Sequence, residues 1–466
     1  MTFTHGSLVL AAGRSSSVID AIGWWGAVAM IGTAIVYGMT LLVFSYRAPR
    51  SRRRAHEAAL RMIDGLENAD QMGYPTIVVL VPCLNEATVI EASIRRLLAI
   101  PTRQLDILVI DDASNDGTAA VLDSIQDPRV NVIHRVPPFA QRGKGDALND
   151  ALRHVRRRYR DLPAEGVVVG VMDADGRLDP EGITTARLAF LDPKVGAVQL
   201  GVRINNRFHS ALARMQDMEF VIFTEIFQKG RRHLGSVGMG GNGQFVRLSA
   251  LNSLGERPWS DTLTEDFDLG IRLNASGWTN EFSAEAVVHQ QGVTSLRRLL
   301  RQRARWFQGN LQASRLIRYT VREQHGRSRT DSLYQMLSPY LVLATSLLTA
   351  SFVVALVAVA LAGSDGTERS WMWLVLAYVL AFGPAVIYGI RYWRIERRNG
   401  FGFVRGFLYS HLYVLYSMLG YIAGWWAIVR TVFGRTGWQK TKRESESREA
   451  IVGTGAEIAE LKVKPA

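Results

Sequence analysis

The sequence predicts an α/β cytoplasmic domain with a mostly parallel sheet, joined to an α-helical transmembrane region. Three observations predict it. Between residues 76 and 175 short apolar runs alternate with amphipathic stretches, the pattern of strands covered on both faces by intervening helices. Several of those runs end in carboxylates or amides, which collects polar side chains along one sheet edge. Finally, four windows, 21–46, 332–364, 370–390 and 406–429, contain no Asp, Glu, Lys or Arg, and each reaches the roughly 20 apolar residues that cross a bilayer as a helix.

In chain order, TIVVLVP (76–82) reads as a strand and EATVIEASIRRLLAI as the helix that follows it. LDILVIDD (105–112), VNVIH (130–134) and GVVVGVMDAD (166–175) repeat the strand pattern, with GTAAVLDSI and GKGDALNDALRHVRRRY as helical crossovers. In parallel sheets of this kind ligands lie beyond the carboxyl ends of the strands. Those ends carry Asn85 and Glu86, Asp111 and Asp112, and Asp173 and Asp175. The single cysteine, Cys83, excludes an internal disulfide and any cysteine-cluster metal site.

The formal net charge is +13, but its placement argues against nucleic acid. RAPRSRRRA (47–55) abuts the first apolar window, RYWRIERRNGFGFVR (391–405) separates the last two, and GRTGWQKTKR (434–443) follows the last. Basic runs packed against apolar spans mark cytoplasmic flanks facing anionic headgroups. The first window is too long for a cleaved leader and its arginines follow it, so it reads as an anchor. Four crossings would put the C-terminus outside, whereas GRTGWQKTKR reads as cytoplasmic. One window is therefore expected to lie in the interface or to re-enter. The 33-residue window from 332, with Pro339, is long enough for an interfacial helix plus a span, and 406–429 is the candidate for irregularity.

Asp173 and Asp175, at i and i+2 beyond a strand, can hold Mg²⁺ or Mn²⁺ between themselves and the oxygens of a diphosphate. The loop ASNDGT after Asp112 opens a helix whose first amides favour anions. In TLTEDFDLGIRL (262–273), Thr264 as an N-cap with acidic first-turn residues accounts for part of the pattern. A carboxylate there could equally serve as a general base. QGVTSLRRLLRQRARWFQGN (291–310) places Gln302, Arg305 and Trp306 on a basic helix just before the second apolar window. A solvated basic face is one reading. A site for a diphosphate leaving group and a sugar stacked on indole is the other.

In order and spacing, VPCLNE, VIDDASNDGT, DAD, TED and QRARW resemble the motifs of the membrane-embedded family 2 glycosyltransferases, the group of cellulose, hyaluronan, chitin and poly-N-acetylglucosamine synthases. The resemblance covers residues 75–310 and implies a GT-A-like fold acting on a UDP-sugar. It implies Glu86, Asp111, Asp112, Lys144 and Asp173 at the nucleotide, Asp175 with Asp173 at Mg²⁺ or Mn²⁺, and Asp266 as catalytic base beside Thr264 and Glu265. Gln302, Arg305 and Trp306 would line the acceptor and pyrophosphate side, and GMGGNGQF (238–245) falls where such enzymes carry an acceptor-contacting loop.

The expected divisions are an N-terminal segment 1–20, a transmembrane helix 21–46, a basic linker 47–74 and the glycosyltransferase domain 75–310. They continue with an interfacial segment 311–331, helices over 332–364, 370–390 and 406–429, and a cytoplasmic tail 430–466. The resemblance implies inverting, processive extension of a β-linked polysaccharide through the protein's own helices, at the plasma membrane with the catalytic domain in the cytoplasm. The expected partners are the UDP-sugar, a growing glycan or lipid acceptor and membrane lipids, with an export partner or homo-oligomer left open. Two alternatives stand beside it: a non-processive transferase glycosylating a membrane lipid, and a non-catalytic transporter or receptor with a degenerate nucleotide-binding domain.

Overall fold

A computed structural model describes residues 26, 29–30, 32–47, 75–102, 104–362 and 369–434. The segment 1–20, most of the basic linker 47–74 and the tail from 435 lie outside these residues. One eight-stranded sheet organises the chain: β1 (Thr76–Cys83), β2 (Leu105–Asp111), β3 (Val130–His134), β4 (Val167–Val171), β5 (Arg177–Leu178), β6 (Val195–Ile204), β7 (Gln244–Arg247) and β8 (Thr279–Gln290). Their spatial order is β3-β2-β1-β4-β7-β6-β8-β5.

The first half matches the sequence expectation, because β3, β2, β1 and β4 pair parallel throughout. Alternate residues feed opposite cores: Ile77, Val79, Ile107 and Val109 enter one, and Val78, Leu80, Leu108 and Ile110 the other. The second half is mixed rather than mostly parallel. Strand β7 runs antiparallel to both β4 and β6, β5 is antiparallel to β8, and only β6 and β8 are parallel. A strand of four residues can reverse direction there because it is fed by a loop and needs no helical crossover.

The principal helices are α1 (Gly32–Tyr46), α2 (Ile90–Leu98), α3 (Thr118–Asp123), α4 (Lys144–Arg158), α5 (Gly182–Ala189), α6 (Ala211–Ile222), α7 (Glu265–Ala275), α8 (Leu296–Gln312), α9 (Gly326–Ala362), α10 (Arg369–Glu396), α11 (Phe403–Ser417) and α12 (Leu419–Val432). Helix α6 continues as a π-helical turn over Phe223–Gln228, a geometry that concentrates at functional sites. Helix α9 runs unbroken through Pro339. The window 406–429 divides between α11 and α12, which meet at Met418.

Among the described residues two stretches are long and apolar enough to cross a membrane, Gly326–Ser351 and Phe403–Val432, while the apolar α1 is shorter. Large apolar side chains stand exposed on these helices, among them Val354, Val404 and Val432, at 68%, 69% and 76%.

A buried ionic knot fastens α10 to the α/β domain. The Arg203 guanidinium, on β6, donates two hydrogen bonds to the Asp217 carboxylate of α6, at 2.9 and 2.8 Å, and reaches Glu396 at the end of α10 at 2.5 Å. Arg207 contacts Glu396 at 3.3 Å, and the Tyr392 hydroxyl donates to Asp217 at 2.8 Å. Asp217 and Glu396 are both fully buried.

Candidate active site

The carboxyl ends of β1, β2 and β4 open on a cavity of about 1610 Å³ that continues between α1, α9, α10 and α11. Single-ligand sites usually occupy roughly 300–1,000 Å³, so this one has room for two substrates.

The strand-end motifs meet this cavity at the sheet edge. Glu86 lines the cavity and is nearly buried, its amide donating to the Thr118 hydroxyl at 2.8 Å. Asn85 and Ala113 adopt left-handed backbone conformations, φ 56° and 60°, as strained turns at functional sites commonly do. Asp111 is turned into the structure. It accepts from the Ser114 amide at 3.1 Å and sits 3.1 Å from His134 Nδ1. Burial would push the His134 imidazole down, and its contacts with Asp111 and Asp123 outweigh that and hold it above its ordinary value. Asp112 reaches the cavity wall, but its Oδ1 accepts from Arg135 and from the Gln141 amide. Arg135 also pairs with Asp146 and Asp150, so Asp112 anchors the loop that leads into α4.

At the cavity centre Lys144 Nζ donates to Asp173 Oδ1 at 2.7 Å and to the Gly241 carbonyl at 2.8 Å. Asp175 lies behind Asp173, 2% exposed, and accepts from the Gln291 amide at 3.1 Å. Among the described residues no group of three or more His, Cys, Asp or Glu side chains is arranged to hold a metal ion.

Glu265 and Asp266 begin α7, where the helix dipole favours negative charge. Thr264 occupies the N-cap position but makes no capping hydrogen bond, contrary to the sequence reading. Its side chain is instead held against α8: a Cβ on Gly309 would come within 2.6 Å of Thr264 Cγ2 and 2.8 Å of its backbone nitrogen. Two other glycines close on the same segment. A Cβ on Gly145 would meet the Ser260 carbonyl at 2.3 Å and Glu265 Cβ at 3.4 Å, and one on Gly241 would meet Asp266 Oδ2 at 3.1 Å. Three elements thus approach the TED turn as closely as backbone allows.

Burial raises the Glu265 carboxyl, with Asp266 adding to the rise and Lys144 opposing it. Burial likewise raises Asp266, against the pull of Lys144. A carboxylate kept above its ordinary value is a better proton acceptor.

Gln302, Arg305 and Trp306 all line the cavity from α8. With Gly309 they fall at i, i+3, i+4 and i+7, one face of the helix. Arg305 acts electrostatically on Glu265. Sequence reasoning missed Arg303, whose guanidinium lies 4.4 Å from the Trp306 ring centroid and pairs with Glu219 at 2.6 Å. It also missed Glu219, Tyr388 and Tyr413, which line the cavity from α6, α10 and α11. No local motif marks any of these three.

Carboxylates at parallel strand ends, a basic residue bridging to them, and a raised acidic pair facing an Arg and a Trp define a transferase of the nucleotide-sugar class. Comparison with known proteins agrees. The family described as "Glycosyl transferase family 2" matches residues 78–254, and "Glycosyl transferase family group 2" matches residues 168–386. The chain is 30% identical over 348 residues to beta-monoglucosyldiacylglycerol synthase of Trichormus variabilis, covering 72% of this chain and 68% of the relative. To the enzyme of the same name from Synechocystis it is 30% identical over 302 residues, covering 64% of this chain and 59% of the relative. Poly-beta-1,6-N-acetyl-D-glucosamine synthase of Staphylococcus aureus matches at 28% over 236 residues, 50% of this chain and 54% of the relative. Among solved structures, the mannosyltransferase PcManGT of Pyrobaculum calidifontis, in complex with GDP-Man and Mn²⁺, superposes with a TM-score of 0.55 at 19% identity, over 88% of this chain and 98% of that one.

The chain belongs to the family 2 glycosyltransferases. It is an enzyme with the GT-A-like α/β fold, and the reading as a non-catalytic transporter or receptor falls.

Proposed function

We propose that the protein is an inverting, UDP-sugar-dependent glycosyltransferase that places a single sugar on a neutral membrane lipid of the diacylglycerol kind. The observation that carries this reading is the match to two glucosyldiacylglycerol synthases across most of this chain. The continuation of the catalytic cavity between apolar helices supports it, since a lipid acceptor needs a route from the bilayer to the base. The exposed apolar side chains of α9, α11 and α12 support a membrane location. This reading takes the place of the processive polymerase expected from QRARW. That motif lines the acceptor side in either case.

In the proposed reaction Asp266 takes the proton of the acceptor hydroxyl, whose oxygen forms a bond to the anomeric carbon. The bond from that carbon to the β-phosphate oxygen breaks, and its electron pair leaves with UDP. Attack from the face opposite the leaving group inverts the anomeric centre. Arg305 stabilises the charge that develops on the diphosphate, and Lys144 holds Asp173 toward the donor while favouring the ionised form of Asp266. Trp306 offers an indole face to the sugar or acceptor. Asp173 and Asp175 supply the hard oxygen donors that suit Mg²⁺ or Mn²⁺, with substrate phosphates completing the shell. Bound there, the metal would neutralise the diphosphate.

The test is purified protein in nanodiscs with Mn²⁺, a panel of UDP-sugars and diacylglycerol. A lipid-extractable product carrying one sugar is expected. High-molecular-weight carbohydrate formed without added lipid would overturn the proposal in favour of polymer synthesis, the activity named for the Staphylococcus relative.

A further inference from the structure

Beyond Trp306 the cavity enters a lobe whose charges are already spent. Arg303 is paired with Glu219, which also accepts from the Tyr416 hydroxyl at 2.6 Å. Arg231 lies 3.5 Å from Asp331, and the Tyr37 hydroxyl bridges them, accepting from Arg231 at 3.0 Å and donating to Asp331 at 2.8 Å. Each cation in the lobe therefore has its anion, and no net charge is left to attract an anionic acceptor.

The neutral donors are a different matter. Tyr388 and Tyr413 both line the cavity, and neither hydroxyl makes a hydrogen bond to any described residue. The Tyr388 hydroxyl points at α1, 3.8 Å from where a Cβ on Gly38 would stand. Tyr413 packs in the same apolar cluster and stacks at an angle on Tyr416, ring centroids 5.9 Å apart. The Trp306 indole N–H also has no hydrogen bond to a described residue, and indole only donates. Donors that face a cavity with no protein partner are open to an acceptor atom brought by a ligand. Apolar Phe223 and Phe227 from the π-helical turn face the same space.

We propose that this lobe is the glycerol-ester subsite of the acceptor, in which the Tyr388 and Tyr413 hydroxyls donate to the two ester carbonyls of an uncharged diacylglycerol. The inference rests on the lipid-acceptor reading and deepens it. Ester carbonyls accept and never donate, which fits a lobe rich in unspent donors, and they are uncharged, which fits its neutrality. The free hydroxyl of the glycerol would then be presented to Asp266, which lines the same cavity.

The experiment compares 1,2-diacylglycerol with the 1,2-dialkyl ether analogue, which has the same chains and hydroxyl but no carbonyls. Transfer is measured as kcat/KM with the full-length protein in nanodiscs. The wild-type enzyme is expected to favour the diacyl acceptor by about tenfold, the worth of one to two neutral hydrogen bonds. Tyr388→Phe and Tyr413→Phe should each lower that preference, and the double variant should bring it close to one. The wild-type comparison needs no variant and stands even if a substitution harms folding. Equal use of the two lipids by the wild type, or an unchanged preference in the double variant, overturns the subsite. Preference for a polyprenyl phosphate overturns the neutrality argument. Polymer formation with no transfer to either glycerolipid instead overturns the lipid-acceptor reading beneath it.

Discussion

Two buried clusters in this protein are built from the same parts, acidic residues facing basic ones, and they are left in opposite states. In the knot of Arg203, Arg207, Asp217 and Glu396, burial alone would raise the Asp217 carboxyl. The two arginines and the Ile204 amide overcome it and hold Asp217 below its ordinary value. At the TED turn burial wins, and Glu265 and Asp266 stay raised although Lys144 stands beside them. The difference is stoichiometry and geometry. Asp217 receives two direct guanidinium hydrogen bonds, whereas the Lys144 ammonium is committed to Asp173 and a backbone carbonyl. A satisfied cluster fixes two bodies together, and an unsatisfied one retains free energy for chemistry.

The contrast makes predictions of opposite sign. Asp266→Asn should lower kcat by about a hundred- to ten-thousand-fold, the usual contribution of a general base. It should also raise stability at neutral pH. An acid whose folded value is raised binds more protons folded than unfolded, so stability falls as pH rises through that value, and Asn removes the penalty. Asp217→Asn should do the reverse. A group whose folded value is depressed stabilises above its unfolded value and loses that as pH falls. Deleting its charge leaves Arg203 and Arg207 to share Glu396 alone, an ion cluster broken at one partner, with an expected cost of about 3 kcal/mol. Denaturation midpoints in detergent, read beside turnover, check both. A stability loss in Asp266→Asn would break the comparison.

Much of this was legible in the sequence where chemistry is contiguous. The carboxylates after β1, β2 and β4 and the acidic start of α7 sit within a few residues of strong strand and helix patterns. Gln302, Arg305 and Trp306 share a helical face. What could not be read was what lies opposite. The sequence offers Asp111 and Asp112 as equals, yet Asp112 lines the cavity while Asp111 does not, and His134 and Arg135, from the next strand end, hold one each. Strand β7 has four residues, too few for periodicity to give its direction. Glu219, Tyr388 and Tyr413 meet from three helices far apart in the chain, and Gly309 looks like any helical glycine until α7 is placed against it.

That last contact yields the next largest effect. Gly309→Ala inserts a methyl group 2.6 Å from Thr264 Cγ2 and 2.8 Å from its backbone nitrogen. Relief requires α8 to move away from α7, which separates Trp306 and Arg305 from Asp266. Overpacking of this kind costs about 1–3 kcal/mol, and we expect kcat to fall roughly tenfold or more with donor affinity little changed. An equal loss of donor affinity would show that α8 serves the nucleotide rather than the geometry of transfer.

The smallest effect tests the unsatisfied cluster most directly. If Asp266 is the base, as proposed, it must be ionised to accept a proton, so activity should rise with pH along a limb set by the raised carboxyl pair, above the ordinary carboxylate value of about 4. Lys144 opposes that rise in both Glu265 and Asp266. Lys144→Met removes the cation, makes ionisation harder, and should move the acid limb of kcat toward higher pH. The donor KM should also rise, because Asp173 loses its partner, but that change is independent of pH in this range and is separated by saturating the UDP-sugar. A limb that stays in place would mean that Lys144 serves Asp173 and the Gly241 carbonyl alone. The state of the base would then be set by burial and by the backbone amides at the start of α7.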